Sequence, residues 1–207
     1  MFHYPQYRST DLALIRSFVR QFPLALITSL HDGQWRTSHI PLFFDEQEDT
    51  LFGHVDANNS HFQDTPVLSV QLVFAGPNLF IPPEAYATRQ LPTWNYLAVH
   101  ASGTLTVISD TAENLEILRK SAALLANTPS AFRVEHSDPR IGKWIGGIRG
   151  LRIDIADIEG RFKLSQDKAA ADVEAAAAYF VEVARARITP ELLRTFAIQP
   201  ARDERAA

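Results

Sequence analysis

The stretch that most constrains the fold is LALITSLHDGQWRTSHIPLFF, residues 24–44, because it joins two strand-like runs through a tight turn. Asp32 and Gly33 at its centre form the dipeptide that most strongly signals a two-residue hairpin loop. The run 24–30 is predicted as a buried strand, and the run 35–44 as its hairpin partner. Hairpins of this kind build antiparallel sheets, so an antiparallel sheet is expected here.

Further strand-like runs follow at short intervals along the chain. They are residues 51–55, 67–76 with a continuation over 79–81, 93–108 and 151–159. Pro77 and Asn78 predict a turn within the second of these runs. The run 151–159 alternates apolar with charged residues, which is typical of a half-buried strand. Short strands joined by tight turns favour a small barrel with helices attached.

Helical periodicity accounts for much of the remaining chain. The predicted helices are residues 12–22 after a cap at Ser9-Thr10-Asp11, 111–126, 168–187 and 189–197. The predicted organisation is a single domain overall. Residues 1–165 would form the barrel with the helix 111–126 inserted, and residues 166–207 would pack on the barrel or on a dimer partner.

Charge and composition exclude several function classes. The 207 residues carry a net charge of −4, so a chain-wide basic surface for nucleic acid is absent. The chain has no cysteine, which removes disulfides, thiolate catalysis and cysteine-ligated metals. The start MFHYPQYRSTDL lacks the charged and apolar regions of a signal peptide, and no apolar run is long enough to span a bilayer. A cytoplasmic protein is therefore expected.

The stretch PTWNYLAVHASG, residues 92–103, is aromatic and polar at once. Since side chains alternate along a strand, Trp94, Tyr96 and His100 share one face. Such a face suits a planar ligand or a subunit contact, because the rings offer stacking area and their polar atoms fix orientation. The alternative is a barrel strand whose Trp94 and Tyr96 fill the core. The residues alone leave both interpretations open.

Two further polar stretches are candidates for binding an anion. In GRFKLSQD, residues 160–167, Lys163, Ser165 and Gln166 stand at a strand-to-helix junction, where free N–H groups favour an anion. The alternative is that Ser165 or Asp167 caps the helix and Lys163 faces water. In RTSHIPL, residues 36–42, Arg36 and Ser38 share a strand face that could hold a phosphate or face water.

The stretch GHVDANNSH, residues 53–61, combines histidine, asparagine and aspartate. His54 and Asp56 share a strand face, but no third ligand stands at a spacing typical of a metal site, so no metal is expected. Motifs for a dinucleotide fold, a P-loop and a hydrolase nucleophile elbow are absent from the sequence.

Taken in order, these pieces resemble the PaiB-type family of FMN-binding negative transcriptional regulators. The resemblance rests on MFHYPQYRSTD, GHVDANN, FAGPNLFIPPEAY, LPTWNYLAVHASG and IRGLRIDIADIEGRFKLSQD, and it spans roughly residues 1–185. It implies an α+β fold, mostly an antiparallel split β-barrel related to pyridoxamine-phosphate oxidases and flavin reductases. It also implies a homodimer with FMN at the subunit interface.

The resemblance also implies candidate contacts to FMN or, for Trp94, Tyr96 and His100, to either the flavin ring or the subunit interface. They are Arg36, Ser38, His54, Asn58, Asn59, Trp94, Tyr96, His100, Lys163, Ser165 and Gln166. Asp56 and Ala57 stand where this family tends to carry a basic residue, which shifts the phosphate contact to Arg36, Lys163 or a second subunit. No catalytic base is assigned, because reduction of a flavin by a nicotinamide needs none.

The expected function is that of an FMN-binding protein with a flavin-dependent redox activity or a flavin-responsive role in transcription. The alternatives are a regulatory or interaction module that has lost flavin binding, and a haem ligand among the seven histidines. Direct contact with DNA has only a modest basic patch to support it, since counterion release needs clustered cations.

Overall fold

The computed structural model describes residues 4–45, 47–63, 65–125, 134–135 and 138–187. Within these residues the strands are β1 (Arg8–Ser9), β2 (Leu24–His31), β3 (Gln34–Asp45), β4 (Thr50–Asp56), β5 (Val67–Ile81), β6 (Thr93–Ile108) and β7 (Ile148–Lys163). The α-helices are α1 (Leu12–Gln21), α2 (Thr111–Leu125), α3 (Pro139–Trp144) and α4 (Ala170–Ala186). Short 3-10 turns form at Pro5–Tyr7, Pro83–Ala85 and Ile145–Gly147.

The predicted hairpin of β2 and β3 is confirmed. His31 pairs with Gln34, so that only Asp32 and Gly33 form the loop. Both loop residues have positive φ, 48° for Asp32 and 76° for Gly33. Positive φ at both central positions defines the turn type whose twist matches two antiparallel strands, and Asp-Gly is among its preferred sequences.

The strands close into a barrel. The order along the sheet is β1-β7-β4-β3-β2-β5-β6, and β7 also pairs with β6, which joins six strands into a ring. The pairs β1–β7, β2–β3, β2–β5, β3–β4 and β4–β7 are antiparallel. The prediction of a small, mostly antiparallel barrel is therefore confirmed.

One apolar cluster fills the barrel. Its fully buried members include Ile27, Leu42, Leu51, Leu72, Phe74, Val99, Leu105 and Ile153. Each such side chain contributes about 1.5–3 kcal/mol by leaving water. Helix α1 adds Ile15, Phe18 and Val19 to the same cluster. Its start follows the sequence signal, because the Asp11 side chain accepts hydrogen bonds from the N–H groups of Ala13 and Leu14.

The predicted turn at Pro77 and Asn78 is wrong, because β5 runs without interruption from Val67 to Ile81. The buried positions of β5 change phase in this stretch. Leu72 and Phe74 are buried at even numbers, whereas Leu79 and Ile81 are buried at odd numbers. Pro77 lies within the phase change of a continuous strand, where the sequence suggests a break.

The chain divides into two compact units. The barrel unit is Met1–Gly76 with Leu97–Phe162, and the second unit is Pro77–Tyr96 with Lys163–Ala207. The second unit has its own core of Leu79, Ile81, Tyr86, Ala176 and Phe180. The predicted boundary at residue 165 stays a prediction, and the predicted helix 189–197 lies outside the described residues. Among the described helices, none is both long and apolar enough to cross a membrane.

Candidate functional site

The segment that follows β4, residues 57–62, folds into a compact turn, called here the β4 turn. The N–H of Asn59 bonds to the carbonyl of Asp56 at 3.0 Å, and the N–H of Phe62 bonds to the carbonyl of Asn59 at 3.0 Å. The Asp56 carboxylate accepts the N–H of Asn58 at 2.7 Å. Phe62 is buried in the barrel core, so the turn is anchored at its far end.

His61 fastens the β4 turn to the hairpin of β2 and β3. Its ring nitrogens lie 2.8 Å from the Ser29 hydroxyl and 2.9 Å from the Ser38 hydroxyl, and only 5% of the residue is exposed. The Asn59 side chain accepts the N–H of His61 at 3.0 Å and donates to Ser38 at 3.4 Å. Burial, with a smaller contribution from the Arg36 charge, lowers the pKa of His61. The imidazole is therefore neutral at pH 7.

Arg36 stands beside this network. It pairs with Ser29 across the hairpin, and its Nη1 donates to the carbonyl of Ser60 at 2.7 Å. A guanidinium has five N–H donors, and the others of Arg36 have no partner among the described residues. The structure thus brings together three of the predicted residues, Arg36, Ser38 and Asn59, around the β4 turn. Asn58 lies in the same turn with its side chain exposed.

His54 lies apart from this group. It follows Gly53 on β4 and pairs with Gly150 of β7. Burial lowers its pKa. Because its neighbour Val55 belongs to the barrel core, His54 points to the opposite face of the strand. Within the described residues no hydrogen bond joins His54 to the β4 turn.

Ser165 lies in the second unit and is fully buried there. Its hydroxyl lies 3.0 Å from the Tyr86 hydroxyl, and 3.0 Å from the nitrogen and 3.2 Å from the oxygen of the Asn95 amide. The predicted role of Ser165 or Asp167 as a helix cap is wrong. Helix α4 begins only at Ala170, and its cap residue makes no side-chain hydrogen bond.

The other predicted residues of the second unit lie at the ends of β6 and β7. Lys163 donates from Nζ to the Thr93 hydroxyl at 2.7 Å, and the Gln166 side chain accepts the N–H of Leu164 at 2.6 Å. Trp94, next to Thr93, is 48% exposed and donates to the Asn78 side chain at 3.3 Å. Trp94 therefore does not fill the core, and that alternative is wrong for this residue.

His100 lines a cavity of about 660 Å³ on the barrel unit. The cavity wall consists of Pro5, Arg8, Gln71, His100, Ala101, Ser102, Asp157 and Glu159. Burial lowers the pKa of His100, while Glu159 opposes this effect and Arg161 adds to it. His100 and Ser102 share the strand face that the sequence singles out, but Trp94 and Tyr96 are not part of this cavity wall.

Two buried contacts were not predicted from the sequence. Ser29 and His61 are separated by 32 positions, and Asn95 and Ser165 by 70. A weak signal exists for the first, because Ser29 and Ser38 occupy inward positions next to the apolar residues Ile27 and Ile40 of their strands. A hydroxyl at an inward position needs a polar partner. The described residues contain no group of three or more histidine, aspartate or glutamate side chains placed to hold a metal ion.

A family model described as "Putative FMN-binding domain" matches residues 1–157, three quarters of the chain. The chain belongs to this family. The FMN-binding family is the one that the sequence resemblance indicates, and FMN or a related flavin is accordingly the cofactor expected of its members.

Curated relatives extend this assignment. The chain is 27% identical over 170 residues to Protease synthase and sporulation protein PAI 2 of Bacillus subtilis, which covers 79% of this chain and 82% of the relative. The resemblance to the PaiB type is therefore confirmed. An uncharacterized protein of Aspergillus fumigatus is 25% identical, with 80% of this chain and 85% of that protein covered.

Solved structures with the same fold include two flavin proteins. The FAD and heme binding protein from Mycobacterium smegmatis has a TM-score of 0.61 at 16% identity, covering 82% of this chain and 80% of that one. The flavocytochrome Anf3 from Azotobacter vinelandii has a TM-score of 0.58 at 17% identity, covering 79% and 72%. The FMN-binding family member described here therefore has the split-barrel fold.

The residues around the β4 turn fit the phosphate end of FMN. A phosphate is bound best by a planar guanidinium that donates two parallel hydrogen bonds. Within the part of the chain that the structure describes, Arg36 uses one donor, in its bond to Ser60, and that bond holds it beside the turn. The neutral state of His61 means that Arg36 is the positive charge of this group.

Proposed function

We propose that this chain binds FMN non-covalently, with Arg36 at its phosphate, and acts as a flavin-dependent redox protein. The proposal rests on the Arg36 guanidinium, which is held by the Ser60 carbonyl and whose other donors have no partner among the described residues. The bound flavin supplies the redox chemistry, and the protein supplies binding, orientation and electrostatics.

In this proposal, the β4 turn is a rigid support for Arg36. The ring of His61 is fixed by two serine hydroxyls and stacks on Phe62 with 4.2 Å between ring centroids. A turn held at this point cannot shift easily, so the Ser60 carbonyl keeps Arg36 in place. Ser38 and Asn59 contribute through this support, since their side chains bond to His61 and to each other.

The ring of FMN needs a flat, accessible surface. Trp94 of the second unit is a separate candidate for this contact, either to FMN or across the proposed homodimer, because about half of it is exposed. Lys163, Ser165, Gln166, Tyr96, His100 and His54 remain proposed polar or ring contacts, either to FMN or to a second subunit in the proposed homodimer. The Lys163 amine can contact a ligand only in addition to its bond with Thr93.

Replacing Arg36 with glutamine tests the phosphate assignment. We expect FMN affinity to fall about tenfold to a hundredfold, since hydrogen bonds to charged groups contribute about 1.5–3 kcal/mol. Riboflavin, which lacks the phosphate, should bind the variant and the natural protein equally. Flavin fluorescence titration measures both affinities.

Arg152→Gln is the matched control. Arg152 is an exposed arginine of the same unit, paired with the exposed Asp154, and it should affect neither ligand. Equal loss of FMN and riboflavin in Arg36→Gln, or no loss of either, would remove Arg36 from the phosphate. The redox part is tested separately, by the bleaching of flavin absorption when the FMN-loaded protein meets a reduced nicotinamide under anaerobic conditions.

A regulatory function is the second candidate. It is favoured by the Bacillus subtilis relative, which is named Protease synthase and sporulation protein PAI 2. Direct DNA binding predicts a gel shift at low salt that weakens steeply as salt is added, because counterions are released from phosphates. The absence of any shift at low salt, with FMN present and absent, would leave DNA contact to another protein.

A further inference from the structure

The cavity on the barrel unit has the size of a small-molecule site. Its volume of about 660 Å³ lies within the range of ~300–1,000 Å³ that is typical of ligand pockets. It is not part of the Arg36 group. Arg36 and Ser38 share the strand face of Ile40, which points into the barrel core. Gln71 lies between the buried Val70 and Leu72 and points outward, on the wall of the cavity.

The β7 wall of the cavity is charged because the positions that face the core change from odd to even numbers along this strand. Ile153 is fully buried, whereas further along the strand Ile158 and Phe162 pack against the core. The change turns the odd-numbered positions Asp157 and Glu159 outward. Without this change, Asp157 and Glu159 would point toward the core. With it, both side chains line the cavity.

Charges in the cavity are only partly neutralised by the protein. The Glu159 carboxylate accepts from Arg8 Nε at 2.8 Å and from Arg161 Nη2 at 2.6 Å, so both of its oxygens are occupied. Arg8 uses only Nε in this pair, and its terminal nitrogens have no partner among the described residues. The Asp157 carboxylate also has no partner there. His100 is neutral at pH 7 because burial lowers its pKa.

The terminal nitrogens of Arg8 and the carboxylate of Asp157, which have no partner among the described residues, therefore face a single cavity. Arg8 pairs with Arg161 across β1 and β7, and Asp157 lies four positions before Arg161 on the same strand. Four strand positions span about 13 Å. The Arg8 side chain covers part of this distance, and within the described residues it pairs with Glu159 and not with Asp157.

From this charge pair we infer that the cavity binds a small zwitterion whose carboxylate and protonated amine are separated by several atoms, such as an ω-amino acid or a dipeptide. Its carboxylate pairs with the Arg8 guanidinium, and its amine pairs with Asp157. Gln71 and Ser102 supply neutral hydrogen-bonding groups between them.

Calorimetric titration of the FMN-loaded protein with ε-aminocaproate tests this inference. Caproate and hexylamine are matched probes, because each keeps the chain and one of the two charges. We expect ε-aminocaproate to bind at least tenfold more tightly than either of them. The Asp157→Asn and Arg8→Gln variants should each lose at least tenfold in affinity for ε-aminocaproate.

Asp154→Asn is the control variant, since Asp154 is an exposed aspartate of the same strand that pairs with Arg152 outside the cavity. It should bind ε-aminocaproate as the natural protein does. Arg8 also stabilises Glu159, so Arg8→Gln could fail to fold. In that case Asp157→Asn, at an exposed position, tests the inference alone. His100, a proposed contact of FMN or of a second subunit, also lines this cavity. FMN affinity should nevertheless be unchanged in Asp157→Asn, and a loss of FMN affinity would assign the cavity to the flavin and overturn the inference.

Three other results would overturn the inference. The first is no heat of binding from ε-aminocaproate at millimolar concentration. The second is equal affinity for caproate or for hexylamine, which would make the cavity an anion or a cation site. The third is unchanged affinity in Asp157→Asn.

Discussion

Trp94→Ala is expected to lower FMN affinity about tenfold or more while changing the free energy of unfolding by less than about 1 kcal/mol. Stacking of a planar heterocycle on an aromatic side chain contributes ~1–3 kcal/mol. Trp94 is 48% exposed and its indole N–H makes one long bond, 3.3 Å, to the Asn78 side chain. Its contribution to folding is therefore small, and about half of its surface is available to a ligand.

The measurement pairs flavin titration with urea denaturation of the same variants. Trp144→Ala is the matched control, since Trp144 is an exposed tryptophan, 66% accessible, that is not among the proposed FMN contacts. It should leave FMN affinity unchanged. Riboflavin should weaken together with FMN in Trp94→Ala, because the ring and not the phosphate is affected. Equal losses of affinity and stability would instead assign Trp94 a structural role.

The elements predicted correctly from sequence are those whose signals are local. Asp32 and Gly33 define the hairpin loop through their own backbone preferences, and Asp11 caps α1 through bonds to residues two and three positions ahead. Alternation along β3 correctly places Arg36 and Ser38 on one face. Which face points inward follows from Ile40, a neighbour on the same strand.

The elements that the sequence did not predict are strands in which the buried positions change between even and odd numbers along the strand. In β5 the change lies between Phe74 and Leu79, where the proline suggests a turn. In β7 it lies between Ile155 and Ile158, and it creates the charged wall of the cavity. The sequence carries no signal of such a change in the buried positions. Alternation counted from one end of the strand therefore predicts the wrong face at its other end.

The candidate site was predicted as residue types but not as contacts. His61 joins Ser29 and Ser38 only because β2, β3 and the β4 turn meet in space. In the same way, Asn95 and Ser165 satisfy each other across 70 positions. Polar residues that look like ligand contacts in a linear sequence can be the partners of one another, and only the register of the strands distinguishes the two.

Glu159→Ala is expected to lower the free energy of unfolding by about 3–5 kcal/mol, the usual cost of removing one partner from a buried ion pair. The Glu159 carboxylate pairs with both Arg8 and Arg161, and Arg161 is 3% exposed. Removing it leaves two guanidinium groups close together without that carboxylate. Glu159→Gln should lose less, because its amide oxygen still accepts one hydrogen bond.

The pH dependence of stability distinguishes this charge effect from a loss of packing. Burial alone would raise the pKa of Glu159, but the hydrogen bonds from Arg8 and Arg161 outweigh it and hold the pKa below its ordinary value of 4.5. A lowered pKa in the folded state means that the stabilisation is complete above pH 4.5 and is lost as the pH falls through the folded value. The natural protein should lose this contribution on acidification, and Glu159→Gln should not.

Urea denaturation at a series of pH values measures both effects. Asp154→Ala is the control, because the exposed pair of Asp154 and Arg152 contributes only about 0–1 kcal/mol. A loss in Glu159→Ala no larger than in this control would mean that the two arginines are stabilised by other groups. A large loss of stability in Glu159→Ala could also come with the same pH dependence in the natural protein and in Glu159→Gln. In that case the side chain at position 159 would stabilise the cavity wall by packing and not by charge.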